Sequence, residues 1–269
     1  MDVETFLAHN QIFTIEEARI SLEMSKNSTS TLNNLLSYHL KKNHITRIRK
    51  GLYYTIPRGF DAKTYPIDPY LITSKMTPDA TLAYHTSLGF HGKLYSLRSN
   101  FIYITQKKLQ PPFTFQDSLF KGVAAPKNTI THPDFGIKII NYQGCNIRVT
   151  TLERTFVDIL DRPTLINNWE EIWRSLESIE YLNIQHVLKY AHILNNATTY
   201  SRVAFFLDEH QEALGLSEAD LSKFDAFTPK KPHYLDCYSK EPNQLIHRWN
   251  LIVPQSLLHR KWEEPHENF

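Results

Sequence analysis

Glycine is scarce in this sequence, which has eight glycines among its 269 residues. Loops that hold phosphate groups depend on closely spaced glycines, because backbone N–H groups must approach the anion directly. None of the patterns G-x-x-x-x-G-K-[ST], G-x-G-x-x-G or G-x-S-x-G is present. The sequence therefore argues against phosphate-cradling loops and against the enzymes that use these motifs.

Cysteines and long apolar runs are equally scarce. Cys145 and Cys237 are far apart and form no C-x-x-C motif, so neither a zinc site nor a disulfide framework is indicated and both are interpreted as structural thiols. No run of about 18 apolar residues could span a bilayer, and residues 1–4 lack the features of a signal peptide. These features predict a cytoplasmic protein without membrane association.

The formal net charge of the chain is only +2. Any affinity for nucleic acid must therefore come from a local basic patch and not from the charge of the whole molecule. The length of 269 residues predicts two or three domains with ample chain to bury a core.

Segment 14–56 has the features of two helices followed by a β-hairpin. Thr14 and Glu17 form a T-x-x-E capping box, which predicts the start of the first helix. A second helix is predicted at 28–42, because leucines recur there at helical spacing. Its apolar face consists of Leu32, Leu35, Leu36 and Leu40.

The opposite face of the second helix carries small hydroxyl and amide groups instead of Glu/Lys pairs. Such groups can hydrogen-bond base edges and phosphate oxygens in a major groove. An ordinary solvated face is the alternative interpretation of the same residues. The polar residues of this face are Ser30, Asn33, Asn34, Ser37 and Lys41.

The continuation, residues 45–56, predicts a β-hairpin with its turn at residues 50–51, flanked by β-branched and aromatic residues. Arg47, Arg49 and Lys50 cluster at the predicted tip. Such a basic wing can bind phosphates or enter the adjacent minor groove. Lysine and arginine also protect edge strands against aggregation, which is the alternative role for these cations.

Together these elements predict a winged helix-turn-helix over residues 1–57 that binds double-stranded DNA. The helix would enter a major groove and the cations would anchor the DNA backbone, so binding should be sensitive to salt. The residues expected nearest the bases are Ser30, Thr31, Asn33 and Asn34. The full set of expected DNA-binding residues is Ser28, Thr29, Ser30, Thr31, Asn33, Asn34, Ser37, Lys41, Arg47, Arg49, Lys50 and Tyr53.

A Pro/Gly-bearing segment at 57–66 predicts a domain boundary, followed by an α+β domain at 58–269. We expect its first part, 66–163, to be a small sheet with helices and its second part, 164–269, to be mainly helical. A helix is predicted at about 80–88, and strands are predicted at 101–105, 129–131, 137–141 and 146–149. The expected fold class is α+β.

Charged residues in the segment 150–163 are spaced as helical i,i+4 pairs. Arg154 with Asp158, and Asp158 with Arg162, have this spacing. The pattern predicts a structural charge ladder worth only tenths of a kcal/mol per pair.

Four segments of the chain are informative together: Phe13–Ala18, Ile48–Tyr54, the helix with the pattern T-L-E-R-T-x-x-D-x-L-D-R-P ending at Pro163, and the tail Arg248–Pro254. They resemble the AbiEi-type antitoxins of type IV (abortive infection) toxin–antitoxin systems. The resemblance covers nearly the full chain. The basic wing occurs in many regulators, so the T-L-E-R-T helix is the more telling element.

The resemblance implies a transcriptional autorepressor of a phage-defence operon. The winged helix would bind repeats in the operon's own promoter, and the larger C-terminal part would counter a nucleotidyltransferase-like toxin encoded downstream. The wing role falls on Arg47, Arg49 and Lys50, and the recognition-helix role on residues 28–42. The resemblance implies no catalytic motif and no cofactor.

Two other functions fit parts of the sequence. The first is a protein-binding module, but a helix that binds protein should expose apolar anchors, whereas this face is almost wholly polar. The second is a nuclease of the PD-(D/E)-x-K type, with Asp134 and Lys138, but Gly136 stands where an acidic metal ligand is needed. His85 and His91 lack the spacing of a helical metal site. We therefore expect no enzyme, no metal and no cofactor.

Overall fold

The computed structural model describes residues 1–25, 29–260 and 262. This part of the chain is a mixed α+β structure with eleven α-helices and three β-sheets, as the sequence predicts at the level of fold class. It divides into two compact units. Unit 1 comprises residues 1–82, 99–124 and 139–149, and unit 2 comprises residues 83–98, 125–138 and 150–269. The boundary expected near residue 57 falls within unit 1 and stays a prediction.

The described part of segment 1–55 in unit 1 contains three helices and three strands. Thr14 caps the second helix through the expected capping box, in which its hydroxyl accepts from the Glu17 N–H at 3.2 Å. The three strands form an antiparallel sheet in the order β1-β3-β2. The elements are α1 (Val3–His9), β1 (Ile12–Thr14), α2 (Ile15–Ser21), α3 (Thr29–Lys41), β2 (Ile45–Arg49) and β3 (Leu52–Thr55).

Aromatic side chains fill the core beneath these elements. Phe6 packs edge-on against Phe13 with ring centroids 4.9 Å apart, and Phe13 stacks on Tyr53 at 5.8 Å. Leu32 and Leu36 bury the apolar face of α3 in the same cluster. Burial of these side chains, each worth about 1.5–3 kcal/mol, determines which face of α3 is left in solvent.

The remainder of unit 1 is built on a six-stranded mixed sheet in the order β6-β7-β5-β4-β9-β8. Its elements are α4 (Pro69–Ser74), β4 (Thr81–Leu82), β5 (Asn100–Thr105), β6 (Phe113–Phe115), β7 (Ser118–Ala124), β8 (Ile137–Tyr142) and β9 (Cys145–Thr150). Strand β5 pairs antiparallel with β4 and parallel with β7. The prediction of a strand at 129–131 was wrong, since Lys127–Thr129 forms a 3-10 turn. The predicted helix at 80–88 is replaced by β4 and a helix that begins at Tyr84.

Unit 2 is mainly helical, with one small sheet in the order β10-β12-β11. Its helices are α5 (Tyr84–Phe90), α6 (Leu152–Asp161), α7 (Trp169–Glu177), α8 (Ile184–Leu194), α9 (Ala197–Glu209), α10 (Glu218–Asp225) and α11 (Gln255–Leu258). Its strands are β10 (His233–Tyr234), β11 (Asn243–Ile246) and β12 (Leu251–Pro254). Polar side chains at Asn168, Asn183 and Asn196 cap the starts of α7, α8 and α9.

The charge ladder expected on α6 belongs to a buried cluster. Arg154 and Asp158 are each 1% exposed, with the Arg154 Nε 3.3 Å from an Asp158 carboxylate oxygen. The Tyr190 hydroxyl donates to the other Asp158 oxygen at 2.6 Å, and Arg154 also donates to the Phe135 carbonyl at 2.6 Å. Burial raises the pKa of Asp158, although Arg154 and Tyr190 act in the opposite direction. A value of tenths of a kcal/mol applies to exposed pairs, whereas removing one partner of a buried pair costs about 3–5 kcal/mol.

Gly136 packs directly against this cluster and yields a testable prediction. Its φ of +64° is in the left-handed region, and a Cβ there would lie 2.8 Å from the Arg154 Cβ. Gly136→Ala is therefore expected to cost roughly 1–2 kcal/mol for the backbone and a further ~1–3 kcal/mol for the overlap. Denaturant unfolding followed by tryptophan fluorescence measures the loss.

Gly215→Ala is the matched control for Gly136→Ala. Gly215 lies in unit 2 with a φ of +61°, but a Cβ added there would meet nothing within 4 Å. This variant should lose only the roughly 1–2 kcal/mol of unfolding free energy that the left-handed backbone costs. Equal losses from the two variants would contradict the proposed packing of Gly136 on Arg154.

Candidate nucleic-acid interface

The exposed face of α3 is a continuous polar stripe. Its members recur at the spacing i, i+3, i+4, i+7 and i+11, which places them on one side of a helix. All of them are exposed, and α3 contains no acidic residue. The polar stripe consists of Ser30, Asn33, Asn34, Ser37 and Lys41.

Two further exposed residues flank this stripe. Thr31 is exposed, and Tyr38, which is 54% exposed, lies on the same flank of the helix. Ser28 lies outside the described residues, as does the side chain of Thr29. The stripe therefore contains five of the eight residues expected on this helix, and Thr31 lies at its edge.

The expected hairpin is present, with β2 and β3 joined at a turn that contains Gly51 at a φ of +82°. The pairing register shifts between Arg47 and Arg49, which is a β-bulge. Arg47 and Lys50 are exposed, while Ile48 between them is buried. The hairpin thus presents two cationic side chains to solvent from a rigid strand pair.

Arg49, the third expected wing cation, is engaged within unit 1. Its Nη2 donates to the Met76 carbonyl at 2.8 Å, and its guanidinium carbon lies 5.7 Å from the centroid of the Phe113 ring. A guanidinium held by a carbonyl and an aromatic face fixes the hairpin to neighbouring elements. We therefore assign Arg49 a structural role in addition to any effect of its charge on an anion.

Tyr53 differs most from its expected place beside the cations. It is 7% exposed and stacks on Phe13 in the core. Strand β3 is the central strand of its sheet, and Leu52, Tyr53 and Tyr54 are all buried there. Its ring packs on Phe13 in the core and does not form part of the exposed surface.

A histidine pair at the end of α3 is absent from the sequence-based prediction. The Nδ1 atoms of His39 and His44 are 3.0 Å apart, so one ring donates and the other accepts. His39 is buried, on the same side of α3 as Leu32 and Leu36. Its i+3 spacing from Leu36 was a signal that this histidine belongs to the buried face.

The environment of His39 gives a pH-dependent prediction. Burial lowers the pKa of His39, His44 lowers it further, and Glu4 acts in the opposite direction. Because the folded-state pKa lies below the unfolded value of about 6.5, the stability that His39 contributes is present above that pH and lost as the pH falls through the folded pKa. His44→Asn is expected to raise the pKa of His39 toward its ordinary value, as measured by NMR titration of the ring protons. A wild-type His39 that titrates at or above its ordinary pKa would contradict this assignment.

Residues considered for metal or nuclease chemistry have other environments. Within the described residues, no group of three or more His, Cys, Asp or Glu side chains is placed to hold a metal ion. The His91 ring bonds the Thr150 carbonyl at 2.9 Å, and Cys145 and Cys237 are free thiols. The close packing of Gly136 leaves no space for the acidic side chain that a PD-(D/E)-x-K motif requires. None of the described helices is both long and apolar enough to cross a membrane.

Comparison with known proteins shows a similarity in fold only. No protein-family model matches the sequence, and no curated protein does. The structure is similar to the crystal structure of the RV2827C protein from Mycobacterium tuberculosis, with a TM-score of 0.61 and 14% sequence identity. The match covers 96% of this chain and 93% of that one. At this identity the similarity shows a shared fold over nearly the whole chain.

Proposed function

We propose that residues 1–57 form a winged helix-turn-helix that binds duplex DNA, with α3 in the major groove and the β2–β3 hairpin as the wing. The order of helices and strands in this segment, and the antiparallel sheet that ends in the hairpin, are those expected of the motif. The observation that carries the proposal is the polar stripe of α3, which is exposed, free of acidic residues and followed directly by a hairpin with two exposed cations.

The chemistry of this surface suits DNA in two ways. Asn33 and Asn34 each offer an amide that can bond bidentately to adenine in a major groove. Lys41, Arg47 and Lys50 offer charges for phosphates, which supply sequence-independent affinity. Hydroxyl groups of the stripe can bond either bases or phosphates. The surface therefore combines groups that position the protein with groups that read sequence.

A protein partner is a weaker candidate for this face of α3. Helices that bind proteins in a groove present several apolar anchors at i, i+3 or i+4, and i+7. Among the described side chains of α3, Tyr38 is the one large apolar group that is exposed. A lone aromatic beside five polar residues favours a nucleic acid.

We further propose that the protein is an autorepressor and antitoxin of the AbiEi type, opposing a nucleotidyltransferase-like toxin. The support for this part is the sequence resemblance in Phe13–Ala18, Ile48–Tyr54, the α6 segment and Arg248–Pro254. In this proposal residues 1–57 contain the operator-binding surface, and residues 58–269 counter the toxin.

The experiment that tests the proposal is a fluorescence anisotropy titration with a duplex from the protein's own upstream region. A scrambled duplex of equal length and composition is the control, and both are titrated over a series of salt concentrations. We expect tighter binding to the upstream duplex and a linear fall of log K with log salt concentration. Equal weak binding to both duplexes would contradict operator recognition.

A further inference from the structure

Arg202 on α9 is a buried cation held by backbone carbonyls. The residue is 8% exposed. Its two terminal nitrogens donate to these carbonyls, Nη1 to Leu160 at 2.9 Å and Nη2 to Tyr234 at 3.3 Å, while the buried Nε has no hydrogen-bond partner among the described residues. In the part of the chain that the structure describes, no acidic side chain forms an ion pair with it. Buried charges are normally paired, because an isolated one loses its hydration without compensation.

The two acidic residues whose charges act on Arg202, Asp161 and Asp236, have other partners. Asp161 accepts from Asn196 and Thr199 and pairs with Arg162, while Asp236 accepts from the Tyr238 N–H. Both act on Arg202 only at longer range, and burial lowers the pKa of Arg202 despite them. The guanidinium is therefore an incompletely neutralised charge inside unit 2.

A pocket of about 90 Å³ opens beside this side chain. Its volume equals about three water molecules at ~30 Å³ each, which is enough for one carboxylate group and a short stem. Leu235 and Trp169 supply apolar wall, and the Trp169 ring lies 6.0 Å from the Arg202 guanidinium carbon. Thr164, Asn167 and Asn168 contribute hydroxyl and amide groups to the lining.

We propose that this pocket binds a carboxylate, which completes the hydrogen bonding and neutralises the charge of Arg202. A single guanidinium matches a monoanion in charge and geometry. A dianionic phosphate fits less well, because Asp236 also lines the pocket and would repel the second charge. The carboxylate can come from a small acid or from an acidic residue or chain terminus of a protein partner.

Cys237 allows a direct test, because this free and exposed thiol lines the same pocket. In a Cys145→Ser background it is the only thiol of the chain. The rate of alkylation of Cys237 by iodoacetate, which brings a carboxylate, is compared with that by neutral iodoacetamide, using mass spectrometry. We expect the iodoacetate-to-iodoacetamide rate ratio to fall roughly tenfold in Arg202→Met, as expected for loss of a hydrogen-bonded charge. Acetate should protect wild type from iodoacetate. An unchanged ratio in Arg202→Met would overturn the proposal.

A second measurement does not depend on the stability of the Arg202 variant. The melting temperature of wild type is followed by tryptophan fluorescence in acetate, phosphate or chloride at equal ionic strength. Acetate should raise the melting temperature more than phosphate does, and an effect of phosphate alone would overturn the carboxylate assignment.

Two tripeptides distinguish a small acid from a protein partner as the source of the carboxylate. Both are blocked at the N-terminus; one ends in a free carboxylate, and the other ends in the corresponding amide. Tighter binding of the acid than of acetate supports a protein partner, equal binding supports a small acid, and equal binding of the peptide amide overturns the proposal.

Discussion

Arg47→Ala combined with Lys50→Ala is expected to weaken binding to the upstream duplex roughly tenfold to a hundredfold at physiological salt. Each cation that leaves a phosphate removes about 0.9 from the slope of log K against log salt concentration, so the double variant should lose about 2 from the slope. Both side chains are exposed on the hairpin, so their removal should leave the fold intact. The loss should be similar for upstream and scrambled duplexes, because phosphate contacts carry no sequence information.

Lys230→Ala combined with Lys231→Ala is the matched control for the wing variant. It removes the same charge from two lysines that lie in unit 2. We expect it to change the affinity and the salt slope much less. Arg49 is left out of the wing variant because it also bonds the Met76 carbonyl, so its removal would mix packing with charge. If both double variants bind equally, long-range charge and not the hairpin is responsible for the affinity.

Asp158→Ala is expected to lower the free energy of unfolding of unit 2 by about 3–5 kcal/mol, since it leaves a buried guanidinium without its partner. The Tyr190 hydroxyl also loses its acceptor. Denaturant unfolding followed by tryptophan fluorescence measures this loss and reports selectively on unit 2. All four tryptophans of the chain, Trp169, Trp173, Trp249 and Trp262, lie in unit 2.

Two comparisons separate burial from charge in this prediction. Glu170→Ala breaks the Arg174–Glu170 pair, which has the same i,i+4 spacing but leaves 41% of the Glu170 side chain exposed. It should cost less than about 1 kcal/mol. Replacing Arg154, Asp158 and Tyr190 together by Met, Leu and Phe should cost less than Asp158→Ala alone, because no buried charge is left unpaired, although the Phe135 carbonyl loses its donor. An Asp158→Ala loss no larger than that of Glu170→Ala would contradict the buried-pair interpretation.

The parts of unit 1 that could be predicted from sequence are those specified by local patterns. The capping box at Thr14, the leucine face of α3 and the turn at Gly51 each depend on residues a few positions apart, and all three are present in the structure. The same patterns place the polar stripe on the exposed side of α3, because the leucines opposite it are buried.

Features that depend on distant residues could not be predicted in this way. The spacing of Arg154 and Asp158 indicates a pair, but their burial depends on Tyr190, which lies 32 positions beyond Asp158. Arg49 belongs to a hairpin that sequence predicts, yet its partner Met76 is 27 positions away. Strand β7 went unpredicted because Gly122 and a central lysine obscure its alternation, while its pairing with β5 stabilises it. Local patterns thus specify elements, and tertiary contacts decide the environment of individual side chains.

We propose that the polar stripe of α3 contacts the bases of the operator. The most direct measurement is an NMR titration of isotopically labelled protein with the upstream duplex, which follows the side-chain amide signals of Asn33 and Asn34. We predict large shifts of both amides with the upstream duplex and much smaller shifts with the scrambled one. Specific binding of the upstream duplex without any change in these two amides would contradict the claim.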